Sequence, residues 1–127
     1  METSILTATA DDGAAIVAVS GEVDFSNAPE VAEGIRDAVA EFQPPVVYVD
    51  LKDASFVDST GLGALIEGYH AAAERECRFV VVNPTHNFRR VLSVTGLNEI
   101  FGLTEIDDAS IGHFGWDQFR NAEATGA

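Results

Sequence analysis

One cysteine, Cys77, and one lysine, Lys52, are present in a chain of 127 residues. A lone cysteine excludes an intrachain disulfide and a multi-cysteine metal site, and it leaves packing as the expected role of Cys77. Basic residues are scarce throughout: 7 Lys and Arg stand against 21 Asp and Glu, a formal net charge of -14. Nucleic acid is held mainly by lysines and arginines that displace counterions, so this balance excludes a phosphate-backbone binder. No run approaches the roughly 20 apolar residues that span a bilayer. The start, "METSILTATADDG", lacks the basic-then-apolar order of a signal peptide. A cytoplasmic protein with no nucleic-acid or membrane partner is the expectation.

What the chain does have is apolar material. A hydrophobic content of 46% at this length suits one compact domain with its own core. Ile5 to Ala10 predicts a strand, "DDG" at Asp11 to Gly13 a turn, and "AIVAVSG" at Ala15 to Gly21 a second strand, together a hairpin. From Pro29 the period becomes helical, with Val31, Ile35, Ala38 and Phe42 on one stripe and Ser26 or Asn27 as the cap. "PPVVYVDL" at Pro44 to Leu51 and "RFVVVN" at Arg78 to Asn83 are uninterrupted apolar runs of the kind found in strands buried on both faces. Between them, Leu62, Leu65, Ile66, Tyr69 and Ala73 recur at helical spacing. Thr85 caps a further predicted helix carrying Phe88, Val91, Leu92 and Thr95 on one side, and Gly96 ends it. "LNEIFGLTEID" suggests a helical turn and a final edge strand, and "SIGHFGWDQF" a last helix through Phe114, Trp116 and Phe119.

Strands separated by helices are expected to lie parallel and to be joined by right-handed crossovers. The loops past the strands' carboxyl ends then gather on one edge, where sites are usually built. "GEVDFSN", "KDASFVDSTG" and "NPTHN" fall there, with Asn83 and Pro84 as neighbours on the same edge.

The richest of these is "FVDSTGLGALIEGY", Phe56 to Tyr69. A helix start leaves amide hydrogens unpaired and carries partial positive charge, so Asp58 or Ser59 can cap it and an added anion is stabilised there. Gly61 and Gly63 each weaken the helix by roughly 1 kcal/mol, which suggests a close approach by another backbone or by a partner. Other chemistries are excluded by motif. "DSTG" has one residue more than the aspartic-protease triplet and no second copy, no Gly-Lys-Ser/Thr follows "GLGALIEG", and no Gly-x-Ser-x-Gly surrounds Ser59. His70 lies roughly 16 Å down the helix from Ser59 at 1.5 Å per residue, too far to activate it. His86 and His113 fit surface or capping roles. The scattered acids Asp24, Asp53 and Asp58 lack a histidine partner set for a metal. A phosphorylated receiver domain needs a lysine late in the chain, and Lys52 is the only lysine.

The segments "GEVD" (Gly21 to Asp24), "VVYVDLKDASFVDSTGLGAL" (Val46 to Leu65), "RFVVVN" and "VLSVTGL" (Val91 to Leu97) together form a recognisable pattern. The chain resembles a free-standing STAS domain, specifically a bacterial anti-sigma factor antagonist of the sporulation and stress-response type. The resemblance implies an α/β fold: a mixed, mostly parallel sheet of about 4–5 strands with an N-terminal hairpin and about 4 helices. The domain would span residues 1–112, with 113–127 a C-terminal helix or tail. It implies that Ser59 is phosphorylated by a cognate anti-sigma factor that is itself an ATP-dependent serine kinase. Unphosphorylated, the antagonist binds that factor and releases a sigma factor for transcription; a PP2C-type phosphatase restores the binding state. Asp58 would orient the Ser59 hydroxyl or the loop, Asp24 would stand near the phosphosite, and Thr60 is the alternative acceptor. Asp24, Asp58, Ser59, Thr60, Gly61, Leu62 and Gly63 would form the partner surface. No catalytic residue, cofactor or metal is implied, and the free chain is expected to be a monomer and not an enzyme. The alternative is a stand-alone STAS module that senses a nucleotide or other small molecule, or serves as a scaffold.

Overall fold

A computed structural model of the chain describes residues 4–102. β1 (Ser4–Thr9) and β2 (Ala15–Val23) pair antiparallel from Ser4↔Ser20 to Thr9↔Ala15, forming the expected hairpin. Its turn is closed by the Ala10 amide donating to the Ala14 carbonyl at 2.8 Å and by the Ala14 amide donating to Asp12 Oδ1 at 3.1 Å. Then come α1 (Ala28–Phe42), β3 (Val46–Asp50), β4 (Ala54–Val57), α2 (Ser59–Glu74), β5 (Arg78–Val82) and α3 (His86–Thr95). The sheet runs β1-β2-β3-β5, with β4 pairing β2, and every pair except the hairpin is parallel. This is the mixed, mostly parallel α/β sheet read from the sequence, with five strands. Three helices lie within the described residues. The predicted strand past Gly102, the helix through Phe114, Trp116 and Phe119, and the boundary at residue 112 lie outside them.

One strand was read as loop. β4 sits inside the polar segment "KDASFVDSTG" and pairs with the far half of β2, Gly21↔Ala54, Glu22↔Phe56 and Val23↔Val57, after a bulge between Gly21 and Glu22. β2 is long enough to pair β4 as well as β1 and β3: its first half pairs β3, Ala15↔Val47 to Ala18↔Asp50. A strand of four residues beside a turn carries too little periodicity to be told from loop by pattern alone. Partner pairing supplies what the local sequence lacks.

The chain steps from β2 to β3 to β5 in one direction, so right-handed crossovers place α1 and α2 on the same face. There Val17, Val19, Val47, Val49 and Val81 from the sheet meet Val31, Ile35 and Leu65 from the helices. The alternate residues Ile16, Val46, Val80 and Val82, with Tyr48 packed beside them, form a second buried cluster, as the two-sided apolar runs require. Cys77 is buried, and burial pushes its thiol pKa up, in keeping with a packing role.

The helical stripes need correction. In α2 the buried positions are Gly61, Ala64, Leu65, Gly68 and Ala72, while Leu62, Ile66 and Tyr69 are half-buried and Ala73 is exposed. The stripe is centred one residue, or about 100°, from the one predicted, because the side facing α1 and the sheet is made of small residues. A Cβ added at Gly68 would stand 2.9 Å from Ile35 of α1, so the two helices touch at a distance only glycine permits. Side-chain size predicts the buried face at Leu62, Leu65, Ile66 and Tyr69; of these only Leu65 is fully buried, and the others flank the small residues that pack inward. Phe42 is 40% exposed at the end of α1, and in α3 only Phe88 and Leu92 are buried, with Val91 and Thr95 exposed. The two predicted ends of α3 are as read: Thr85 Oγ1 accepts from the Phe88 amide at 3.2 Å, and Gly96 takes the left-handed conformation, φ 78°.

Candidate functional site

β2 and β4 end side by side. Val23 pairs with Val57, the Asp58 amide donates to the Val23 carbonyl at 3.1 Å, and the next residue of each strand is an aspartate, Asp24 and Asp58. Each aspartate closes a turn on the hydroxyl two positions ahead. Asp58 Oδ1 accepts from Thr60 Oγ1 at 2.6 Å and from the Thr60 and Gly61 amides at 2.9 Å. Asp24 Oδ1 accepts from Ser26 Oγ at 2.6 Å and from the Ser26 amide at 2.9 Å. The residue between, Phe25 in one turn and Ser59 in the other, is left exposed.

Asp58 is therefore the cap of α2, not Ser59. The Thr60 hydroxyl, then the Gly61 amide, hold its carboxyl below the usual carboxylate range, since hydrogen bonds donated to the charged form favour it. Of the two roles expected of Asp58, orienting the Ser59 hydroxyl or the loop, its hydrogen bonds to Thr60 and Gly61 fit the second. Among the described residues the Ser59 hydroxyl has no hydrogen-bond partner, so the two adjacent hydroxyls differ in availability. On the other turn, Asn27 is the residue before α1, but its side chain makes no cap bond to that helix. It ties the loop back to β2 instead, accepting from the Asp24 amide at 2.9 Å and donating to the Glu22 carbonyl at 2.7 Å.

The two glycines of the motif separate cleanly. Gly61 is buried, and a Cβ there would stand 2.7 Å from Val57 Cγ1 and 2.8 Å from Val23 Cγ1, so it lets the first turn of α2 press onto the strand ends. Its packing role is internal to the domain. Gly63 is exposed, and among the described residues a Cβ there would meet nothing within 4 Å. Leu62 is half-buried against the core.

Other predicted neighbours fall elsewhere. Asp53 precedes β4, at the opposite end of that strand from Asp58 and roughly 16 Å away at about 3.3 Å per residue. Asn83, with φ 56°, donates through Nδ2 to the buried Asp50 at 3.1 Å and ties the ends of β3 and β5 together. Among the described residues no group of three or more His, Cys, Asp or Glu is placed to hold a metal, and no helix is long and apolar enough to cross a membrane. Two exposed aromatics beside the corner escaped the sequence reading: Phe25, 77% exposed, and Phe56 on β4, 51% exposed. The signal was an aromatic within otherwise polar loops, which the overall polarity of "GEVDFSN" and "KDASFVDSTG" concealed.

Comparison with known proteins agrees with this architecture. Residues 6–110 match the STAS domain family. The anti-sigma-B factor antagonist of Listeria monocytogenes is 29% identical over 90 residues, covering 70% of this chain and 77% of that protein. The anti-sigma F factor antagonist of Paenibacillus polymyxa is 28% identical over 106 residues, 77% of this chain and 91% of that protein. The crystal structure of an anti-sigma factor antagonist from Mycobacterium paratuberculosis superposes with a TM-score of 0.69 at 31% identity, covering 89% of this chain and 94% of that one. With a family match along most of its length and anti-sigma factor antagonists as its relatives, the chain belongs to the STAS domain family.

Proposed function

We propose that this chain is an anti-sigma factor antagonist whose binding is switched by phosphorylation of Ser59. The observation that carries the reading is the division of labour at the corner: Thr60 gives its hydroxyl to Asp58 at 2.6 Å, whereas Ser59 presents a free, exposed hydroxyl at the first turn of α2. The partner is an anti-sigma factor that is also a serine kinase. Ser59 Oγ attacks the γ-phosphorus of ATP, the bond to the β-bridging oxygen breaks, ADP leaves, and the hydroxyl proton passes to a base of the kinase.

The chain can carry the product without refolding. A phosphoserine adds about -1.5 to -2 charge at pH 7, and the helix N-terminus tolerates it. The complex cannot. A kinase acting on Ser59 brings nucleotide phosphates up to that hydroxyl, so the new phosphate faces like charge, and each roughly 1.4 kcal/mol of repulsion weakens binding tenfold. A PP2C-type phosphatase returns the hydroxyl by hydrolysis.

The test is a pulldown from the source bacterium with Ser59→Ala, followed by incubation of the recovered kinase and ATP with the wild-type chain. One phosphate on Ser59, none on Ser59→Ala, undiminished labelling of Thr60→Ala and weaker kinase binding by Ser59→Asp are expected. Phosphate on Thr60 would overturn the assignment. Tight nucleotide binding by the chain alone, with no kinase recovered, would replace the switch with a ligand sensor.

A further inference from the structure

The reading of Ser59 as phosphoacceptor leaves open which side of the corner the kinase covers. An open groove of about 550 Å³ runs between α1 and α2 from that corner. Thr60 and Phe25 stand at its head, Gly63 lies along it, and Glu33, Arg36 and Glu67 line it. Two features of the groove have no explanation among the described residues. Phe25 is 77% exposed although it sits on a turn that holds its neighbours in place. Gly63 weakens its helix relative to alanine, yet a Cβ there would meet nothing within 4 Å. Its twin Gly61 is required by Val23 and Val57; among the described residues none requires a glycine at position 63.

We propose that this groove is the docking surface of the kinase, and that its occupant is a basic segment of that kinase. The proposal rests on the Ser59 reading and names the partner chemistry of the same site. Charge selects the occupant. The groove is lined by two carboxylates, Glu33 and Glu67, that have no ion-pair partner among the described residues, against one cation, Arg36. Just outside the lining, Asp24 precedes Phe25 and Asp58 holds Thr60, in a chain of net charge -14. A lysine or arginine suits this lining, because its aliphatic stem can lie over Gly63 and the neighbouring alanines while its charged end reaches the glutamates. Phe25 then inserts into an apolar pocket of the kinase, as an aromatic anchor at the rim of the phosphosite. Phe56, the other exposed aromatic, points to the opposite side of β4 from Val57 and stays outside the contact.

The experiment measures affinity for the kinase recovered with Ser59→Ala, at 50 and 250 mM NaCl, with full-length variants whose folding is checked by circular dichroism. Phe25→Ala and Gly63→Met are each expected to weaken binding at least tenfold, the latter without lowering the melting temperature. Glu33→Gln combined with Glu67→Gln is expected to weaken binding at low salt and flatten its salt dependence. Phe56→Ser, and Val94→Ser on the far helix α3, are expected to stay within twofold of wild type. Wild-type affinity for both Phe25→Ala and Gly63→Met, with Ser59 still phosphorylated, would overturn the groove and leave the Ser59 reading standing. Loss of binding in Phe56→Ser alone would place the kinase across β4 and overturn it equally. Absence of any phosphate on wild-type Ser59 would remove the reading and the groove together.

Discussion

At the scale of single residues, position within one turn of helix decides chemistry. Ser59 and Thr60 are adjacent, exposed hydroxyls that the sequence could not rank on physical grounds; one carboxylate oxygen tells them apart, by binding Thr60 and leaving the Ser59 hydroxyl without a partner among the described residues. The same oxygen gives α2 a pH-dependent cap. Because the folded Asp58 carboxyl titrates below its unfolded value, its contribution is fully present above the ordinary aspartate pKa of about 3.9 and is lost as pH falls through the lowered folded value. Asp58→Asn keeps a capping oxygen without that titration. The melting-temperature gap between wild type and Asp58→Asn is therefore expected to shrink as pH falls from 5 to 2; a constant gap would refute the assignment. Gly61 and Gly63 make a second contrast. Gly61→Ala forces a Cβ to within 2.8 Å of Val23 and Val57, so urea denaturation is expected to show a loss of about 1–3 kcal/mol. Gly63→Ala fills open space and should gain up to about 1 kcal/mol. Equal effects at the two positions would show that the first turn of α2 is not seated as described.

At the scale of elements, α2 carries the site because it starts where β2 and β4 end together. Its buried stripe is Gly61, Ala64, Leu65, Gly68 and Ala72, and at Gly61 and Gly68 the strand ends and α1 come so close that an added Cβ would stand within 3 Å of a neighbouring side chain. Residue size identifies the helix but rotates its buried face by one position, because small residues in a tight interface resemble surface residues in a sequence. A helix so seated does not depend on its first turn for its existence. The switch at Ser59 is thus expected to act on the partner and not on the helix: phosphorylated and unmodified protein should unfold within ~1 kcal/mol of each other, with the same helical circular dichroism. A large drop in stability on phosphorylation would mean that the switch works by melting α2.

At the scale of the whole molecule, the net charge of -14 acts on the fold and on its associations. Like charges repel within the compact state, and at 0.1 M salt the screening length is only about 10 Å. Raising NaCl from 20 to 500 mM is expected to increase the melting temperature, and an unchanged or falling value would show that carboxylate repulsion is not a significant cost. Most of the architecture was legible in the sequence. The hairpin, the two-sided apolar runs of β3 and β5, the three helices and the Thr85 and Gly96 ends all follow from local periodicity and turn chemistry, which short windows of sequence contain. The acid, hydroxyls and glycines of the corner were equally plain, because residue type alone marks an anion-tolerant helix start. Contacts between distant segments decided the rest. β4 exists because β2 offers it a partner, and that pairing brings the strand ends that lead into Asp24 and Asp58 side by side. Which glycine faces inward, which hydroxyl is free and which aromatic stands at the head of a groove depend on the approach of α2 to β2 and α1, and no short window of sequence encodes that distance.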